Sequence, residues 1–130
     1  MMICLDANYL IGGVSEERPE SAQLLAWFQA GERFSTAMPA WYEFLCGPVT
    51  EAQIAAMRAF LTHGILSFDH AQAVTAARLF NAVKRPRRLR VDAMIAATAI
   101  VAGGRLATLN TDDFGLFVPY GLELMQISAG

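Results

Sequence analysis

Short apolar runs alternate with longer helical patterns along this chain. That alternation restricts its fold more than any other feature. Residues 2–5 (MICL), 33–37 (RFSTA), 65–68 (ILSF), 105–109 (RLATL) and 124–127 (LMQI) read as strands. A brief helix is expected near Ala7–Ile11, and the pattern of Leu24, Leu25, Trp27 and Phe28 predicts a helix over Ser21–Ala30, stopped at Gly31. Glu16–Glu20 reads as a polar loop. Pro39 opens a helix through Cys46 that Gly47-Pro48 stops, Thr50 caps an amphipathic segment to Thr62, and Asp69 caps a helix to about Val83. Val91–Ala102 is an apolar helix closed by Gly103-Gly104. Strands that are apolar throughout and separated by helices form parallel sheets buried on both faces. In such sheets ligands bind beyond the carboxyl ends of the strands.

At 130 residues, the chain is expected to form one domain spanning 1–130. Hydrophobic residues make up 55%, which calls for a large core or a surface that meets a partner. No apolar stretch reaches the ~18 residues of a membrane span, and MMICLDANYL has no basic region before its acid, so a cytoplasmic protein without a secretory signal or membrane anchor is expected. Cys4 and Cys46 lie in apolar contexts and read as reduced, buried packing residues. His63 and His70 lack the spacing of zinc ligands and read as surface or loop residues.

Acids stand just past the strands. Asp6 follows the first one directly. It serves as an ordinary helix N-cap or as a site residue, and alone it cannot decide. Glu43 lies in PAWYEFLCG, where its helical neighbours Pro39, Ala40, Cys46 and Gly47 are compact and leave it room. Asp92 opens the apolar helix VDAMIAATAI, as a cap or as a ligand. Asp112 and Asp113 follow the strand in ATLNTDDF. In a parallel sheet these segments share one end. Carboxylates packed together raise one another's pKa, and a divalent cation relieves the repulsion. All-oxygen donors suit Mg²⁺ or Mn²⁺ rather than zinc. There is no Walker loop, no G-x-G-x-x-G after a strand and no G-x-S-x-G, which leaves hydrolysis of a phosphodiester.

Half of the ten basic residues, Lys84, Arg85, Arg87, Arg88 and Arg90, crowd into the loop KRPRRLR just before Asp92. A solvated loop is one reading. Contact with a nucleic-acid backbone at the rim of an acidic site is the other, and the favoured one.

The sequence resembles PIN-domain ribonucleases, specifically the VapC-type toxins of toxin–antitoxin pairs, over its whole length. LDANYLI looks like the opening Asp motif and carries the first acid onto Asp6. MPAWYEFLCG carries the Glu onto Glu43, RVDAMIAATAI carries an Asp onto Asp92, and ATLNTDDF carries a polar pair onto Thr108 and Asn110 and the last acid onto Asp113. The resemblance implies a Rossmann-like α/β/α three-layer sandwich with a parallel sheet of about five strands. It implies endoribonuclease activity with Mg²⁺ or Mn²⁺ held by Asp6, Glu43, Asp92 and Asp113, and a metal-activated water as the attacking group. It also implies a VapB-like antitoxin that blocks the acidic pocket, and a homodimer. Asn8 and Asn110 are expected to orient the carboxylates, and Asp112 competes with Asp113 as the fourth acid.

Two other readings are open on the residues. A metal-dependent phosphatase would use Asp6 as nucleophile, with a second acid two residues on, where this chain has Asn8, and a later Lys, which residues 91–130 lack. A PIN-like binding module without catalysis would not need acids in all four segments.

Overall fold

The computed structural model describes residues 2–126. Four strands form the sheet: β1 (Met2–Leu5), β2 (Arg33–Ala37), β3 (Ile65–Leu66) and β4 (Arg105–Ala107). Their order is β3-β2-β1-β4, and every pairing is parallel. Ile3 faces Phe34 on one side and Arg105 on the other, so β1 and β2 fill the centre. Ile3, Cys4 and Leu5 are each fully buried. Successive strand residues point to opposite faces, so both faces of the sheet are covered, giving the three layers that the sequence implies.

The helices that cover it are α1 (Ala7–Gly13), α2 (Pro19–Gln29), α3 (Met38–Cys46), α4 (Glu51–Phe60), α5 (His70–Ala82), α6 (Arg90–Ala102) and α7 (Thr111–Phe114). Two 3-10 segments, Arg87–Leu89 and Gly115–Tyr120, join them. Thr50 caps α4 as expected: Gln53 N–H donates to its Oγ1 at 3.1 Å, and Thr50 N–H donates to Gln53 Oε1 at 2.9 Å. Gly103 ends α6 in the left-handed conformation, φ 72°, that favours glycine. The aromatic core includes Phe34 stacked on Phe60 at 4.6 Å and Tyr9 tilted against Trp27 at 5.6 Å. Among the described residues no helix is long and apolar enough to cross a membrane.

The structure corrects the sequence expectations at five places. The fifth strand contracts to one parallel bridge, Leu106 to Leu124, with Leu106 N–H donating to Glu123 O and Met125 N–H to Leu106 O, both at 2.8 Å. Its expected end, Ile127, lies outside the described residues. β3 and β4 are also shorter than read: Ser67 Oγ donates to Asp69 Oδ2 in the turn ahead of α5, and Thr108 Oγ1 donates across the end of the sheet to Asp6 Oδ2. α2 starts at Pro19, whose fixed φ suits the first helical position, so Glu20 belongs to the helix and is buried rather than part of a polar loop. The basic loop contains a 3-10 turn pinned by fully buried Leu89. Cys46 is exposed at the last turn of α3, whereas Cys4 is buried as expected. Both histidines are exposed.

The chain steps outward from β1 to β2 to β3, then returns to lay β4 on the other side of β1. The reversal opens a crevice between the carboxyl ends of β1 and β4, the position at which open α/β sheets bind ligands.

Candidate active site

Asp6 is the first residue after β1 and the N-cap of α1. It is 6% exposed, and both of its carboxylate oxygens are engaged. Oδ1 accepts from Ala7 N–H at 2.8 Å, while Oδ2 accepts from Thr108 Oγ1 at 2.7 Å and from Asn8 Nδ2 at 3.2 Å. Burial raises the Asp6 pKa, and these three donors pull it back. The same side chain therefore caps α1 and lies at the mouth of the crevice. Its backbone N–H also donates to Ala107 O at 3.0 Å, locking the end of β1 to the end of β4.

Thr108 and Asn8 build the floor around it. Thr108 Oγ1 accepts from Asn110 N–H at 3.0 Å, and Asn8 Oδ1 accepts from Leu109 N–H at 3.3 Å. Asn8 thus orients Asp6 and holds the segment after β4. A donor amide stands where a phosphatase would carry its second acid. Thr36 Oγ1 donates to Leu5 O at 2.7 Å, fixing the last residue of β1 from the β2 side. This buried contact has no signature in the sequence beyond a β-branched hydroxyl at a strand end.

Glu43 projects from α3 and is exposed, while Trp41 and Phe44 beside it are buried, as its compact helical neighbours predict. Partial desolvation and the charge of Asp6 raise its pKa. Asp92 lies in the first turn of α6 and is half-buried. Its pKa is pushed up to about 6, first by desolvation and then by the charges of Asp6, Asp113 and Glu43, with Arg88 opposing. Asp6 just past β1, Glu43 on α3 and Asp113 on α7 therefore all bear on Asp92 across the crevice.

The two adjacent acids of α7 differ in their surroundings. Asp113 Oδ2 accepts from Asn110 Nδ2 and its Oδ1 from Arg88, each at 3.2 Å. Asp112 is exposed and makes no side-chain hydrogen bond among the described residues. Of the five basic loop residues, Arg88 alone pairs with an acid among the described residues. Arg90 lies over the Phe80 ring at 5.9 Å, Lys84 and Arg85 sit in a left-handed turn at φ 72° and 57°, and Arg87 is exposed.

Among the described residues no three acids, histidines or cysteines already converge closely enough to hold a metal ion. The donor set nevertheless fits a hard divalent cation. It is all carboxylate, and the charges of Asp6, Asp113 and Glu43 raise the pKa of Asp92, a repulsion that a bound cation would relieve.

A family model of the PIN domain matches residues 3–116. The chain belongs to the PIN-domain family. PIN domains are in general nucleases. No curated protein matches the chain by sequence. Among solved structures, this PIN domain is similar to the Klebsiella pneumoniae toxin–antitoxin complex, at 27% identity and TM-score 0.67, covering 86% of this chain and 89% of that one. It shares its fold with VapBC2 of Rickettsia felis, bound to a DNA fragment from its promoter, at TM-score 0.75 and 15% identity, covering 98% and 100%. DNA-bound VapBC of Salmonella typhimurium gives TM-score 0.70 and 18% identity, covering 96% and 97%.

Proposed function

We propose that this PIN domain is the toxin of a toxin–antitoxin pair and acts as a divalent-metal-dependent endoribonuclease. The observation that carries the reading is the gathering of Asp6, Glu43, Asp92 and Asp113 at the switch point of the sheet, with Asp92 pushed up to about 6 by its neighbours. Membership of a nuclease family and the likeness to toxin–antitoxin complexes support it.

In this reading Asp6, Glu43 and Asp92 hold Mg²⁺ or Mn²⁺, and Asp113 closes the edge of the cage. A bound ion supplies positive charge against the scissile phosphate and lowers the pKa of water, so no protein nucleophile is required. The chain's own residues supply orientation. Thr108 and Asn8 fix which lone pairs of Asp6 face the crevice, and Asn110 does the same for Asp113. Lys84, Arg85, Arg87 and Arg90 belong to the segment just before Asp92 and meet the RNA backbone. They position the strand without reading its bases. The antitoxin blocks the acidic pocket, and the toxin pairs with a second copy of itself. The exposed apolar residues Tyr42, Leu45, Leu25 and Val118 supply surface for such partners.

The test is cleavage of total cellular RNA by purified protein freed of any co-purifying partner, in Mg²⁺, Mn²⁺ or EDTA, beside Asp92→Asn. Discrete fragments that require metal and vanish in the variant are expected. Folded protein that leaves RNA intact under every metal would overturn the nuclease assignment.

A further inference from the structure

A chain of hydrogen bonds runs from the basic turn to the first acid. Arg88 Nη2 donates to Asp113 Oδ1 at 3.2 Å, and Asn110 Nδ2 donates to Asp113 Oδ2 at 3.2 Å. Asn110 N–H donates in turn to Thr108 Oγ1 at 3.0 Å, and Thr108 Oγ1 donates to Asp6 Oδ2 at 2.7 Å. The backbone of Arg88 is fixed as well. It sits in the 3-10 turn Arg87–Leu89, whose last residue, Leu89, is fully buried. Its charge also lowers the pKa of Asp92, so the guanidinium acts on that acid too. The cation is thus anchored at its backbone and at its tip.

Stability does not account for this arrangement. Arg88 is 64% exposed and Asp113 28%, and an exposed pair of this kind contributes little. The guanidinium carries five N–H donors in a planar fork that matches phosphate oxygens. Among the described residues its one hydrogen bond is to Asp113, so most of the fork stays open to a ligand. Hydrolysis of a phosphodiester adds a water oxygen to phosphorus and breaks the bond to the leaving oxygen. One proton of that water passes to the leaving oxygen and the other to solvent. Negative charge builds on the non-bridging oxygens on the way, beside carboxylates that repel it, and fixed donors aimed at such charge speed the step. Resting on the nuclease reading given above and deepening it, we infer that Arg88 is a catalytic residue whose guanidinium grips the scissile phosphate itself. The other basic residues of the segment hold the strand, whereas Arg88 acts on the bond that breaks.

The test uses a short RNA carrying one site that the wild-type protein cuts in total cellular RNA, with cleavage followed in a single turnover at saturating protein. Arg88→Ala should cut ~10²–10³-fold more slowly. Arg88→Lys, which keeps the charge and loses the fork, should remain at least about tenfold slow. In an Asp92→Asn background, where RNA is not cut, Arg88→Ala should leave RNA affinity within about threefold of its parent and the salt slope unchanged. Thermal melts check that each chain folds, and Arg88→Gln replaces Arg88→Ala if the latter does not. A full wild-type rate in Arg88→Ala or in Arg88→Lys overturns the inference and leaves the nuclease reading intact. So does a loss in Arg88→Ala that more protein repairs, because Arg88 would then serve binding alone. Folded wild-type protein that cuts no RNA overturns both.

Discussion

Thr108 Oγ1 donates to Asp6 Oδ2 at 2.7 Å, joining two residues that are 102 positions apart. The same hydroxyl oxygen accepts from Asn110 N–H at 3.0 Å, so it ties the first acid to the segment that carries the last one. Thr108→Val removes this donor from a buried carboxylate and leaves Asn110 N–H without its acceptor. The expected cost is ~1–3 kcal/mol of stability and a drop of about tenfold or more in metal affinity. Thr108→Ser should recover most of both. Urea denaturation and a Mn²⁺ titration check the pair of effects, and a Thr108→Val protein that keeps full metal affinity would rule out an orienting role.

Asp92 gives a pH prediction with a definite sign. Its folded pKa is about 6 against an ordinary 3.8. The folded chain therefore binds this proton more tightly than the unfolded chain does. At pH values above about 6 the group weighs against the metal-free fold, and that weight fades as pH falls towards 4. Asp92→Asn should make the metal-free protein more stable than wild type at neutral pH, by ~1 kcal/mol once solvent screening of this half-buried group is allowed for. The difference should vanish near pH ~4. Mg²⁺ should stabilise wild type and have little effect on the variant. Equal stability of the two metal-free chains across the whole range would contradict the crowding of charge at this position.

RNA affinity should depend on salt through the exposed basic residues rather than through Arg88, which already has a partner. In an Asp92→Asn background, where RNA is not cut, Arg85→Ala and Arg87→Ala should each reduce the slope of log affinity against log salt by ~0.7. Fluorescence anisotropy with a single-stranded RNA measures it. An unchanged slope in both variants would leave the loop as solvated surface.

Gly12 has a packing task on the far side of α1. A Cβ placed there would meet Glu20 Cδ at 2.8 Å and Glu20 Cβ at 2.9 Å. Glu20 is 4% exposed and held by Arg18 at 3.1 Å, so it has little room to give. Gly12→Ala should destabilise the fold by ~1–3 kcal/mol through overpacking, despite the better helix propensity of alanine. A melting temperature at or above that of wild type would show that Glu20 moves aside.

Much of the site was legible because it obeys local rules. Asp6 and Asp92 sit where strand ends and helix starts put acids, and Glu43 shows itself by the compact residues on its face of α3. The rest depends on tertiary approach. Glu20 looks like a loop acid until Pro19 starts the helix that carries it into the core. Arg88 is one of five similar cations in sequence, and only the turn pinned by Leu89 aims it at Asp113. The choice between Asp112 and Asp113 is a matter of helical phase in the one-turn α7, and a dipeptide of identical acids carries no phase. The last strand fades because a single bridge to Leu106 is all the pairing that 124–126 makes, a matter of register that apolar composition does not reveal.

The parallel placement of β4 beside β1 has a consequence in time. Asp6 is translated early, yet Asp92, Thr108 and Asp113 follow only after β2, β3 and five helices have been made. A growing chain can fold its β1–β2–β3 side while the crevice still lacks one wall. Such a chain carries an acid but no site. If the finished protein cuts RNA, the machinery translating it is spared until nearly all of the domain has emerged, and any binding partner has that interval in which to be ready.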